Sequence, residues 1–179
     1  ESMIDRVYGI KDKEDYFPKT RWMIEGRTHD NASLEPDTIM LVNGEKSKVY
    51  VLDAKYYKYG WSGNPGHLPE STSINKQITY GEYIAETEKF RNENGKGPAV
   101  YNAFLMPFDS SDNRFGTEDE LYYAGSAVSD WKTTDGTKPY EQVAGILLDI
   151  KTIMKNSSHD EDKILRLSRL IEEKIDDIG

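Results

Sequence analysis

The chain reads as an α/β protein: a central mixed β-sheet flanked by α-helices. Three observations predict this. Thr38 to Val42 and Lys48 to Leu52 are β-branched, apolar runs on either side of the turn dipeptide Asn43-Gly44. Val100 to Met106 is a longer run suited to a buried strand. Ser73 can cap a helix running to about Arg91, and from Glu161 onward apolar residues recur at helical spacing.

Taken in order, Arg21-Trp22-Met23-Ile24-Glu25 reads as a strand ahead of the hairpin. The hairpin follows, because Asn-Gly tolerates positive φ at both positions of a tight turn. Gly60 to Gly66, with Trp61 and Pro65, reads as a loop after the second hairpin strand. Ser73 is the expected cap of the first long helix, which Glu93-Asn94-Gly95 ends. Gly81 inside that helix costs roughly 1 kcal/mol relative to Ala and implies close packing on the sheet. Val100 to Met106 and Glu120 to Ala127 are strands. Pro139 suits the first turn of a helix with the stripe Val143, Ile146, Leu147, Ile150, Ile153 and Met154. Ser158-His159-Asp160-Glu161 has the form of a capping box for the last helix. Its stripe of Ile164, Leu167, Ile171, Ile175 and Ile178 is expected to pack on the domain rather than on a partner.

Chemistry concentrates on the hairpin. Residues two apart in a strand share a face, so Asp53 and Lys55 point one way while Leu52 and Ala54 point into packing on the other. Asp37 opens the first strand, across from the end of the second. Two carboxylates so close repel each other, and one takes up a proton unless a cation compensates. Lys55 supplies part of that charge. A hard divalent ion can supply more, since Mg²⁺ binds one or two carboxylates together with waters and phosphate oxygens. Two acids and a lysine on adjacent strands are the minimal set for metal-assisted phosphodiester cleavage. A plain surface hairpin with a salt bridge is the competing reading.

Pro36-Asp37…Asp53-Ala54-Lys55 resembles the signature of the PD-(D/E)xK nuclease superfamily. The wider stretch is similar to restriction endonucleases of the LlaJI type, and more distantly to McrC-like nucleases. The similarity runs through residues 1–9, 34–40, 51–57 and 75–80, and more weakly 101–107. It implies a restriction-endonuclease-like fold and a metal-dependent DNA endonuclease, the cleavage domain of a restriction enzyme. It also implies Mg²⁺, with Mn²⁺ as a substitute, held by Asp37, Asp53 and a glutamate on a preceding helix. Glu1, followed by Ile4 and Gly9, fits that glutamate, with Glu14 and Glu25 behind it. Related nucleases carry Gln and Tyr on the helix after the lysine strand; Gln77 and Tyr80 match, and Lys76 beside them completes the expected substrate contacts. The usual acid two residues earlier is Asn75 here. The alternatives are a non-catalytic module keeping the nuclease fold for binding or assembly, and a RecB-like repair exonuclease.

Composition sets outer limits. A chain of 179 residues is expected to be one domain, 1–179, and its opening at Glu1 within a helical pattern suggests part of a longer protein. There is no apolar run of the roughly 18 residues a membrane span needs. The absence of cysteine excludes disulfides and thiol catalysis and fits a reducing, cytoplasmic setting. His29, His67 and His159 lack metal-type spacing, and neither a glycine-lysine phosphate loop nor a Gly-x-Ser-x-Gly elbow is present. The net charge of −9 opposes binding to the DNA backbone. Acids cluster in Glu118-Asp119-Glu120, Asp160-Glu161-Asp162 and Glu172-Glu173, whereas Lys46, Lys48, Lys55, Lys58 and Lys76 are expected around the motif. A separate DNA-recognition domain or subunit would reconcile an acidic nuclease with double-stranded DNA. Cutting both strands needs two active centres, which a homodimer or second subunit would supply.

Overall fold

The computed structural model describes residues 1–131 and 138–177. In chain order it contains α1 (Ser2–Tyr8), β1 (Arg21–Ile24), β2 (Arg27–Asp30), β3 (Thr38–Met40), β4 (Lys48–Ala54), α2 (Tyr59–Ser62) and α3 (Ser71–Glu86). Then come β5 (Ala99–Phe108), β6 (Leu121–Val128), β7 (Gln142–Asp149), α4 (Ile150–Lys155) and α5 (Glu161–Asp176). Five strands form one mixed sheet in the order β3-β4-β5-β7-β6. The β3–β4 and β6–β7 pairs are antiparallel, while β4–β5 and β5–β7 are parallel. The α/β, restriction-endonuclease-like architecture expected from the sequence is what the chain adopts.

The hairpin forms for the reason its turn dipeptide gives. Asn43 and Gly44 adopt φ of 50° and 71°, and the Glu45 N–H donates to Val42 O at 2.9 Å. Register then sets Thr38 opposite Leu52 and Met40 opposite Tyr50. Parallel strands need a long crossover, and α3 supplies the one from β4 to β5.

Alternation along β4 divides the core between two faces. Tyr50 and Leu52 pack with Val7 and Tyr8 of α1, Ile153 of α4, and Ile164, Leu167, Ile171 and Ile175 of α5. Val49 and Val51 pack with Ile78, Tyr80 and Ile84 of α3. The α5 stripe thus packs on this domain, each side chain contributing roughly 1.5–3 kcal/mol at most. Ile178 lies outside the described residues.

Gly81 explains how α3 sits so near the sheet. A Cβ there would lie 2.5 Å from Tyr140 Cβ and 2.8 Å from Asn102 Nδ2. The Asn102 amide itself donates to Tyr140 O at 2.8 Å, fixing that neighbour.

Several local readings are corrected. Val143, Ile146 and Leu147 belong to β7, not to a helix; Pro139 opens a 3-10 turn, and only α4 is helical in that region. A central strand buried on both faces has no polar alternation, so its continuous apolar run mimics a helix stripe. Arg21–Ile24 is a strand, but it pairs with β2 in a separate two-stranded ribbon whose strand residues are all exposed. The segment after Lys55 is not a plain loop, since it contains α2 and a 3-10 turn, Pro65–His67. The long helix begins at Ser71 and stops at Glu86, short of Arg91. Asp160, not Ser158, caps α5, its carboxylate accepting from the Asp162 and Lys163 N–H groups.

Candidate active site

The chemical groups of the site are delivered by three pieces of this frame. Asp53 lies on the α3 face of β4 and is only 6% exposed. Lys55 lies just past the strand, yet its N–H still donates to Leu105 O at 3.1 Å, so the β4–β5 ladder carries it. Asp37 immediately precedes β3. Its own carbonyl accepts from Lys13 Nζ at 2.6 Å, and the Tyr80 hydroxyl donates to Glu35 O at 3.2 Å. Glu1 is the N-cap residue of α1.

These pieces converge on one ammonium. Lys55 Nζ lies 3.1 Å from Asp53 Oδ1, 3.3 Å from Asp37 Oδ2 and 3.7 Å from Glu1 Oε1. Asp37 is also close enough to act directly on the Asp53 carboxyl. Burial, and then the hydrogen bond and charge of Asp37, push the Asp53 carboxyl from 3.8 up to about 6, against the opposing pull of Lys55. Burial alone would lower Lys55, but the hydrogen bond and charge of Asp53, reinforced by Asp37, win and raise it. Lys55 is therefore an ammonium at neutral pH, and the pair remains short of positive charge.

Glu14, in a 3-10 turn, and Glu25, at the exposed tip of the β1–β2 ribbon, form no ion pair with Lys55. Among the described residues, no three acidic or histidine side chains converge tightly enough to hold a metal by themselves. Glu1 meets the ammonium from the α1 side rather than closing a three-carboxylate cage with the aspartates.

Gln77 and Tyr80 share the inner face of α3, and both are 2% exposed. Tyr80 packs in the core beneath the site, and its hydroxyl is raised by burial first, with Asp37 and Asp53 adding to the rise and Lys76 opposing it. Gln77 Oε1 is buried without a hydrogen-bond partner. Lys76 is exposed, 5.5 Å from the Tyr80 ring centroid. Asn75, where related nucleases have an acid, accepts from Ser129 Oγ at 2.7 Å.

Sequence reading missed one support. Lys13 bonds the Asp37 carbonyl and also pairs with Asp5 at 2.9 Å, linking the aspartate loop to α1. The only available signal was Asp5 lying one helical turn after Glu1. Lys46 and Lys48 depart from expectation. They sit at the opposite end of β4 from Asp53, and Lys48 pairs with Glu172 on α5 at 2.6 Å.

The family model for LlaJI restriction endonucleases matches residues 1–126, a stretch that contains the whole site from Glu1 to Tyr80. Comparison with curated proteins and with solved structures finds no match. The chain belongs to the LlaJI restriction endonuclease family, and so is a nuclease of a restriction system.

Proposed function

We propose that this chain is the cleavage domain of a metal-dependent endonuclease that hydrolyses phosphodiester bonds in double-stranded DNA. One observation carries the reading: a single ammonium, Lys55, holds the buried Asp53 and the loop aspartate Asp37 at 3.1 Å and 3.3 Å. A salt-bridged surface hairpin would not bury Asp53 or leave its carboxyl raised to about 6.

The donor set fits a hard divalent ion. Two carboxylates short of positive charge are what Mg²⁺ takes from a protein, the remaining positions going to water and phosphate oxygens; Mn²⁺ accepts the same donors. Asp37 and Asp53 would hold it, with Glu1 at the rim. The bound ion would polarise the phosphoryl oxygen and lower the pKa of the attacking water.

The rest belongs to the chain's own residues. Lys55 keeps its proton, so it stabilises charge on the phosphate and orients the water instead of deprotonating it. Tyr80 acts as a positioning residue, because its hydroxyl fixes Glu35 and with it the approach of Asp37. Lys76, exposed beside the Tyr80 ring, would meet the DNA backbone. A homodimer or second subunit would supply the other active centre, and a separate domain or subunit the target sequence, in the cytoplasm.

The test is cleavage of supercoiled plasmid with Mg²⁺, with and without a recognition partner. Linear product from the wild type, and its loss in Asp53→Asn, are expected. Degradation of linear DNA while closed circles stay intact would instead make the chain an exonuclease. Wild-type cutting by Asp53→Asn would show that the motif is not the active site.

A further inference from the structure

A groove of about 1150 Å³ opens at the amino-terminal end of β4, away from the aspartates. Lys11, Lys46, Lys89, Arg91 and Lys96 line it. They arrive from separate stretches of chain: the segment after α1, the β3–β4 connection, the 3-10 turn after α3, and the loop entering β5. All of them are exposed, and among the described residues none forms an ion pair. Among the described residues, only Asp12 and Asp15 oppose them on the lining. In a chain whose net charge is −9, such a surplus of cations in one concavity is a local reversal of sign.

The floor is aromatic and fixed. Tyr16 and Phe90 stack at 5.1 Å, and Lys89 Nζ lies 4.7 Å above the Phe90 ring while bonding the Asp15 carbonyl. The groove exceeds the roughly 1000 Å³ upper range of small-molecule sites. Its charged groups are long, exposed side chains spread along its walls, not a few buried groups converging on one point. That pattern suits a charged polymer, tracked by its backbone.

Position points to the same ligand. The groove and Asp53 lie on the same face of β4, with Val49 in its lining. The four residues from Val49 to Asp53 span about 13 Å at ~3.3 Å per residue. Duplex DNA rises 3.4 Å per base pair, so this is about four base pairs of axis.

We propose that this groove is a second nucleic-acid site, which grips the phosphate backbone of DNA flanking the cut. The inference rests on the nuclease reading for what lies at the other end of β4, but its own evidence is the groove's charge and shape. It gives an otherwise acidic domain a local hold on its substrate.

The experiment measures binding of a labelled 30-base-pair duplex in EDTA, where no cleavage intervenes, across a salt series. The triple variant Lys46→Glu/Arg91→Glu/Lys96→Glu is compared with wild type, and circular dichroism checks the fold. At 50 mM salt the variant should bind at least tenfold more weakly. Its slope of log K against log salt should be shallower by roughly 3, at about 0.9 for each phosphate no longer neutralised. If the triple variant does not fold, the single variants Lys46→Gln, Arg91→Gln and Lys96→Gln are measured instead, each expected to remove about 0.9 from the slope. Unchanged affinity and slope would overturn the proposal. So would displacement of the duplex by ATP or tripolyphosphate at matched ionic strength, which would make the groove a site for compact phosphates. Plasmid cleavage by the wild type is scored separately, so loss of the groove proposal leaves the nuclease reading standing, and the reverse.

Discussion

Replacing Asp53 by Asn should make the metal-free protein more stable at pH 8, although it removes a partner of Lys55. Burial and Asp37 raise the folded carboxyl from 3.8 to about 6. A raised acid favours the protonated fold. Its stabilising contribution is complete below the unfolded value and is lost as the pH climbs through the folded one. Above that window the ionised Asp53 costs roughly 3 kcal/mol, at 1.36 kcal/mol per unit of displacement. Asn keeps the shape of the protonated acid and never ionises. The variant should therefore gain up to that amount at pH 8, about 6–12 °C in Tm for a chain of this size. Below about pH 4 the two proteins should melt together. The assay is thermal unfolding in EDTA from pH 4 to 8. Mg²⁺ at a hundredfold excess over its Kd should then stabilise the wild type by about 2.7 kcal/mol and the variant far less. A variant less stable than wild type at pH 8, or a difference that ignores pH, would refute the reasoning.

Three further outcomes follow from the same geometry. Lys55→Ala should abolish plasmid cleavage while leaving calorimetric Mg²⁺ binding in place. At pH 8 it should also cost about 1–3 kcal/mol, because the aspartates lose their shared cation, with a smaller loss near pH 5 where Asp53 holds a proton. Gly81→Ala should destabilise by about 1–3 kcal/mol in urea unfolding despite alanine's higher helix propensity, since its methyl would lie 2.5 Å from Tyr140 Cβ. Asp160→Ala removes the carboxylate that caps α5 and should cost about 1 kcal/mol in the same assay.

The Asp37, Asp53 and Lys55 cluster was legible because its geometry is local. Period-two alternation and an Asn-Gly turn suffice to bring Asp37 to Asp53 and Lys55. What escaped was either long-range or two-faced. Lys13 reaches Asp37 from a neighbouring segment through a contact no spacing encodes. β7 is buried on both sides, so Val143 to Leu148 carries no strand periodicity. Lys46 and Lys48 are near Asp53 in sequence, but an extended strand converts a few residues into most of its length, and they serve the other end.

The sheet order has a kinetic corollary. Asp37 and Lys55 meet across a separation of 18 residues, whereas Asp53 faces α3, which docks as the crossover that pairs β4 with β5, Asp53 opposite Phe104, and β5 pairs with β7, Phe104 opposite Gly145. Loop closure favours the short-range hairpin, while the distant parallel pairings are slower to close. A chain with only the hairpin formed keeps Asp53 in water, where burial does not oppose its charge. The unfavourable charge at Asp53 is imposed as the parallel strands dock. Stopped-flow folding of Asp53→Asn at pH 8 should accordingly show a slowed unfolding limb and a nearly unchanged refolding limb. The chain acquires the tension of its paired aspartates at the end of folding.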